Sequence, residues 1–279
     1  MGREKIELPK KKLYTLYHVQ NKSPSVIGKL FGCSFTTVIN RLREHGVPLK
    51  SPSFARMRYK KYDFSGDLTE KAYLIGFRLG DLAVSKTNPD AETVVVRLHT
   101  THDVQIDLFK KLFKKYGKVV SYKSPTNPST NVNAYVNRSF EFLLPKHDLV
   151  EKWIISNENY FRSFGAGYID AEGTFGIYQG RARFKMDSYD REILFQIHAW
   201  LDRNNIPNKF FRVAKQGDYV RYGDYNFKKD VWRVNVNEAN SLVKFINLID
   251  PYIRHKKRRK DMEKSLRNIT GRKLRGSIK

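Results

Sequence analysis

Two acidic residues, Asp81 and Glu172, occupy matching places in two similar segments that lie 91 residues apart. Each follows an apolar stretch with two small residues four positions apart, and these pairs are Gly76 with Gly80 and Gly167 with Ala171. Two carboxylates held close together repel each other, and protonation or a bound cation would relieve the repulsion. Bound Mg²⁺ would keep both ionised, activate water and stabilise a leaving oxygen. The pair is therefore a candidate catalytic metal site.

Helices are the elements that would position these acids. Small residues one turn apart make a notch along a helix, and two notched helices can approach closer than the usual spacing of about 8–10 Å. Glycine inside a helix costs up to about 1 kcal/mol relative to alanine, so contact between the notches explains it best. The alternative is a helix pair with incidental acids at its ends. A carboxylate near a helix C-terminus opposes the dipole, and finding it twice disfavours that alternative.

The repeat continues beyond these segments. Residues 101–106 and residues 188–193 form a second matching pair of blocks, and each precedes another helix with an apolar face. Two blocks in the same order indicate duplicated domains of roughly ninety residues, a size that can fold as a unit.

The two segments resemble the paired motifs of the single-chain LAGLIDADG homing endonucleases, and the resemblance covers residues from about 68 to 262. Residues 165–173 span the nine letters of the consensus, whereas residues 74–82 match at four positions and have Leu82 where glycine is expected. The resemblance implies an α+β fold with two pseudo-symmetric αββαββα half-domains, each with a saddle-like antiparallel sheet. The motif helices would form the interface between the halves.

The resemblance also implies a reaction, metal-dependent hydrolysis of both strands of double-stranded DNA. Cleavage would cross the minor groove of a long asymmetric target site and leave short 3′ overhangs. Asp81 and Glu172 would bind the metal, with the carbonyls of Gly80 and Ala171 as possible additional ligands. The implied ion is Mg²⁺ or Mn²⁺, with Ca²⁺ as a substitute that does not support cleavage.

A lysine after a Pro-aromatic pair is frequent near the end of a half-domain in this family. Lys256 follows Pro251 and Tyr252, so it is a candidate for stabilising charge or helping to activate water, and a phosphate contact is an equal alternative. In the first half, Lys146 is a weaker counterpart.

Alternating strands between the motifs each have one polar face, which any one-sided antiparallel sheet also shows. Enrichment in Arg, Lys and Asn favours DNA contact, because Arg can bind guanine and Asn adenine at major-groove edges. The candidate contacts are Arg97, His99, Asn133, Tyr135, Asn137, Arg181, Arg183, Lys185, Arg233, Asn235 and Asn237.

The first fifty residues predict three short helices. Ser23-Pro24 and Ser34 are typical helix starts, and Gly32 and Gly46 are typical ends. Helix, short turn with glycine and helix is the helix-turn-helix pattern, whose second helix enters the major groove. A three-helix bundle used only for packing is the alternative. The candidate base contacts are Thr36, Thr37, Asn40 and Arg41.

The charge balance points to a polyanionic partner. The chain of 279 residues carries 53 Lys and Arg against 28 Asp and Glu, a formal net charge of +25. Nucleic acid is the commonest polyanion, and an anionic membrane surface is the competitor. A single cysteine excludes a disulfide framework and a cysteine-based zinc or iron–sulfur site. No apolar stretch approaches a membrane span, so we expect a soluble intracellular protein of cytoplasm, nucleoid or organelle matrix.

These patterns predict a monomer without an obligate protein partner, and its domains are ordered along the chain. They are a helix-turn-helix at 1–50, a basic linker at 51–66, half-domains at 67–157 and 158–262, and a basic tail at 263–279. The predicted function is a site-specific DNA endonuclease. An RNA maturase that assists intron splicing and a non-cleaving DNA-binding regulator remain the alternatives.

Overall fold

The computed structural model describes residues 6–50, 59–125, 127–220 and 225–278. The chain divides into two compact units, one of residues 1–59 with 88–92 and one of residues 60–87 with 93–279. Residues 51–58 of the expected linker lie outside the described residues.

The first unit contains the three predicted helices. They are α1 (Lys10–Tyr14, continued by a π-helical turn Thr15–Val19), α2 (Pro24–Phe31) and α3 (Phe35–Glu44). The side chains of Ser23 and Ser34 accept hydrogen bonds from backbone N–H groups and cap α2 and α3. Gly32 ends α2 with a φ of 65°, a left-handed conformation that glycine adopts without strain. Leu13, Ile27, Val38 and Leu42 form the buried core of this unit.

The second unit contains two halves with the same order of elements. The first half has α4 (Leu68–Asp81), β1 (Leu82–Lys86), β2 (Val94–Thr100), α5 (Asp103–Phe113), β3 (Lys118–Lys123), β4 (Thr130–Val136) and α6 (Lys152–Ile155). The second has α7 (Glu158–Glu172), β5 (Gly173–Tyr178), β6 (Arg181–Ser188), α8 (Arg191–Arg203), β7 (Lys209–Ala214), β8 (Val231–Val236), α9 (Ala239–Ile249) and α10 (Lys256–Leu274).

Each half has one four-stranded antiparallel sheet, in the order β1-β2-β4-β3 or β5-β6-β8-β7. The predicted α+β class with two matching halves is therefore confirmed. The halves differ after the last strand, where the second has α9 and the first has a 3₁₀ helix, Arg138–Leu143. Along the described parts of the chain, no helix combines the length and apolar composition needed to cross a membrane.

Two segments that the sequence places outside the half-domains are part of the second unit. The ring of Phe64, in the expected linker, packs against Tyr116 and Phe140, and its N–H donates to Ser139 Oγ at 2.8 Å. Residues 263–274, expected in a basic tail, continue α10, whose Met262 and Ile269 are buried in the core. Apolar contacts attach both segments to the second unit. A count of charges cannot reveal such contacts.

The motif helices α4 and α7 pack backbone to backbone. A Cβ on Gly76 would lie 2.1 Å from the carbonyl oxygen of Phe164, and a Cβ on Gly167 would lie 2.1 Å from that of Tyr73. A real side chain cannot occupy either position, so both glycines are required by the close approach. The reciprocal contact makes the helix pair nearly two-fold symmetric. The predicted role of the notches is thus present in the structure.

Leu82 replaces the glycine expected at the end of the first motif, and the structure accommodates it. Leu82 has φ −101° and is buried, so its side chain adds to the core without backbone strain. Gly173, its counterpart, has φ −74°, but a Cβ there would lie 2.7 Å from Ile169 Cγ2. Local packing rather than backbone conformation therefore requires glycine in the second motif alone.

Replacing Gly167 with alanine should lower the free energy of unfolding by about 3 kcal/mol, because the new methyl group overpacks the helix contact. Gly165→Ala is the matched control in the same helix, since a Cβ at Gly165 meets no atom within 4 Å. We expect that control to be neutral or up to about 1 kcal/mol more stable, reflecting helix propensity. Chemical denaturation measures both. Equal stability of the two variants would contradict the close contact.

Candidate active site

Asp81 and Glu172 are the last residues of the two motif helices, and the helix contact brings them together. A Cβ on Gly80 would lie 2.4 Å from Ala171 Cβ and 3.2 Å from Glu172 Oε1. The Glu172 carboxylate therefore lies against the backbone that precedes Asp81. Both acids are half-buried and precede the first strand of a sheet.

The two carboxylates are costly to ionise. Burial and then the negative charge of Glu172 raise the pKa of Asp81 to about 7. Burial and then the charge of Asp190 raise the pKa of Glu172. Such shifts are typical of sites that bind a cation or a proton, because either relieves the buried negative charge.

Two cations, Lys146 and Arg258, lower the pKa of both carboxylates. Lys146 comes after the 3₁₀ helix of the first half and Arg258 after α9 of the second, so each half supplies one. Lys256, the sequence candidate, is exposed at the first residue of α10 and lines a cleft of about 500 Å³. Residues two positions apart on a helix point in different directions, and Arg258 rather than Lys256 lies on the buried face of α10. For this reason Arg258, and not Lys256, acts on the two carboxylates.

Gln105 is a site residue that the sequence analysis did not select. Its side-chain amide donates a hydrogen bond to Asp81 Oδ2 from the first turns of α5. The matched block at residues 101–106 was the available signal, but amides are too common for the pattern to distinguish this one. In the second half Asp190, in the equivalent block, accepts a hydrogen bond from Tyr168 Oη at 3.0 Å.

Oxygen donors at this site suit a hard divalent cation. Gly80 has no side chain at the point where the Glu172 carboxylate approaches, so both acids can lie at one site. Among the described residues, no cluster of three or more His, Cys, Asp or Glu side chains could hold a metal ion. A cation at Asp81 and Glu172 would therefore need further oxygens from backbone, water or substrate, and the carbonyls of Gly80 and Ala171 remain the expected ones.

The outer face of the first sheet holds most of its predicted contacts. Arg97 and His99 are exposed, while Asn133, opposite Arg97 on β4, is 8% exposed. Tyr135 is half-buried on the same face. Asn137 instead follows β4 and caps the 3₁₀ helix, and its amide donates to Asp63 Oδ1 at 2.7 Å.

The second sheet presents Arg181, Arg183 and Lys185 along β6, with Lys185 opposite Asn235 on β8. Arg233 makes a bidentate ion pair with Asp187, at 2.5 Å and 2.6 Å. Its guanidinium is therefore already occupied, which the alternation pattern did not predict because the pattern ignores cross-strand partners. Asn237 is exposed just after β8.

On α3 of the first unit, Thr36 and Asn40 are exposed. Thr37 Oγ1 is 3.0 Å from Ser34 Oγ within the helix cap, and Arg41 forms an ion pair with Glu44. Two of the four predicted contacts thus have intramolecular partners.

Comparison with solved structures finds several proteins to which this chain is similar. I-DmoI, in complex with DNA and Mn, is 18% identical, with a TM-score of 0.44 and coverage of 65% of this chain and 96% of that one. I-GzeII, in complex with its DNA target, is 13% identical, with a TM-score of 0.44 and coverage of 75% and 92%. The N-terminal LAGLIDADG domain of DUF199/WhiA is 14% identical, with a TM-score of 0.43 and coverage of 67% and 86%.

Several of the similar structures are LAGLIDADG homing endonucleases. The likeness is one of fold, and what each neighbour binds belongs to that neighbour. No protein-family model matches the chain, and no curated protein matches its sequence.

Asp81→Asn should increase the free energy of unfolding of the metal-free protein at pH 8 by on the order of 3 kcal/mol. A raised folded-state pKa means that the folded chain binds the extra proton between about pH 4 and pH 7. Stability from this group is present below pH 4 and is lost as pH rises through 7. The variant and the native chain should therefore converge near pH 4.

Urea denaturation across this pH range, with a chelator present, measures the difference. Asp107→Asn, which removes an exposed carboxylate from α5, is the control and should change the free energy of unfolding little at any pH. A native chain that is as stable as Asp81→Asn at pH 8 would contradict the buried charge at Asp81.

Proposed function

We propose that this chain is a divalent-metal-dependent endonuclease that cuts both strands of a specific double-stranded DNA site. One observation carries the proposal: the glycine contact between α4 and α7 brings Asp81 and Glu172 together at matching helix ends. A structural helix pair has no need for two acids at its joined ends, since each opposes a helix dipole.

Asp81 and Glu172 would hold Mg²⁺ or Mn²⁺, whose chemistry there is to lower the pKa of water and to stabilise charge on phosphate oxygens. Ca²⁺ would occupy the site without supporting cleavage. Gln105 orients the Asp81 carboxylate through its hydrogen bond. Lys146 and Arg258, one from each half, supply positive charge beside the acids, where a phosphate carries its negative charge. Each half therefore supplies one acid and one cation, and two such sets suit the two antiparallel strands of a DNA duplex.

The outer sheet faces are the proposed DNA-reading surfaces. The strands that follow Asp81 and Glu172 belong to these sheets, so a duplex on the faces would pass the acids. Exposed Arg97 and Arg181 are available for base edges or phosphates, whereas the Nε2 of exposed His99 already has a hydrogen-bond partner in Ser129 Oγ. We further propose that α2 and α3 act as a DNA-binding helix-turn-helix, with Thr36 and Asn40 as its exposed contacts. Affinity should then fall steeply with salt, because phosphate contacts release counterions.

The function test uses a randomised duplex library in a plasmid, incubated with the full chain and Mg²⁺. We expect selected plasmids to be linearised, and Asp81→Asn and Glu172→Gln to abolish cutting while binding to the selected site is retained. Glu263→Gln, an exposed change on α10, is the control and should cut normally. Cleavage that survives both site variants would contradict the assignment. Specific RNA binding without DNA cleavage would favour a maturase, and DNA binding without cleavage a regulator.

Arg258→Gln should slow cleavage by about 100-fold or more, because it removes positive charge from a partly buried site where charge develops. Lys256→Gln, two residues away and exposed, should slow it less than about threefold, weaken binding mainly at low salt and make the dependence of affinity on salt shallower. Single-turnover rates on the selected duplex compare the two. A larger loss for Lys256→Gln would reverse the assignment of the second-half cation.

A further inference from the structure

One oxygen of Asp170 joins three parts of the second unit. Asp170 is 1% exposed, and its Oδ2 accepts hydrogen bonds from Tyr73 Oη at 2.6 Å, Arg254 N at 2.8 Å and His255 N at 3.0 Å. Tyr73 belongs to the motif helix of the first half, Asp170 to that of the second, and the two amides to the segment that leads into α10. Asp170 therefore fixes that segment to the helix pair.

The fixed segment determines where α10 begins. His255 is the N-cap of α10, and its Nδ1 accepts a hydrogen bond from Arg258 N at 3.4 Å. The guanidinium of Arg254 lies over the Tyr73 ring, 4.2 Å from its centroid. Because Arg258 lies in the first turn of α10, any displacement of residues 254 and 255 would move its guanidinium away from the carboxylates of the site.

The second oxygen of Asp170 has no partner, and neither does the Nε of Arg258. Within the described part of the chain, the buried side-chain polar atoms without a hydrogen bond are Asp170 Oδ1, Arg258 Nε and Asn235 Oδ1. The first is a charged acceptor and the second a charged donor, and leaving either unpaired is costly. Burial lowers the pKa of Arg258. The negative charge of Asp170 is the largest of the carboxylate charges that oppose this lowering.

We propose that Asp170 is a positioning residue for Arg258. Its Oδ2 anchors residues 254 and 255, and these residues fix the first turn of α10 and with it the place of the Arg258 side chain relative to Asp81 and Glu172. The first motif has Leu79 at the equivalent position, so this support exists in the second half alone. The effect on cleavage rests on the proposed nuclease function, whereas the positioning of Arg258 by Asp170 does not.

The positioning can be tested in the full chain without metal or DNA, by following the Arg258 Nε–H resonance in ¹⁵N-labelled protein. Arg258→Lys assigns the resonance by removing it. Asp170→Asn, which keeps an acceptor for the two amides but removes the charge, should shift this resonance and speed its exchange with water. Asp148→Asn is the matched control, because Asp148 also accepts from two backbone amides, Glu192 N and Ile193 N, both at 3.0 Å. A resonance unchanged in Asp170→Asn would overturn the proposal.

Cleavage supplies a second readout through a double-mutant cycle with Arg258→Gln. Asp170→Asn should slow single-turnover cleavage by about 10- to 100-fold, as other supporting groups do, with target affinity changed less than about threefold. In the Arg258→Gln background the same change should cost less than about twofold. Additive losses would overturn the proposal, since Asp170 would then act independently of Arg258. A native chain that cuts no duplex would instead refute the proposed function, and the resonance would still decide whether Asp170 positions Arg258.

Discussion

The backbone contact between α4 and α7 is the constraint on which the site depends. Gly76 and Gly167 allow the helices to approach until each backbone touches the other, which joins the two halves along one seam. The same contact sets the separation of Asp81 and Glu172, because each acid ends its helix. Packing, which stabilises the fold, and charge repulsion, which destabilises it, thus originate at one interface.

Sequence periodicity and repetition predict this interface well. Three features can be recognised from local patterns in one sequence. They are the glycine spacing, the acid after each notch and the two matching sheets. The choice between Lys256 and Arg258 goes beyond what the sequence can predict. Motif spacing selects Lys256, but it does not show which face of α10 is buried. The Arg233–Asp187 pair and the capping role of Asn137 depend on partners from other strands or loops, which spacing alone does not contain.

The two halves share a topology but not a chemical environment. Asp81 is oriented by an amide from Gln105, whereas Glu172 lies near another carboxylate, Asp190. Asp170, buried beside the second motif, has no counterpart in the first, where Leu79 packs in the core. The duplicated fold therefore sets the positions of the acids, and the divergence of neighbouring residues sets how each one is charged and supported.

Anomalous diffraction from crystals grown with Mn²⁺ and the selected duplex tests the central claim most directly. The account predicts manganese density within bonding distance of both Asp81 and Glu172, with the duplex lying across the two sheet faces. Well-ordered density for both side chains without an ion between them, or an ion bound elsewhere while the acids point away from the duplex, would contradict it.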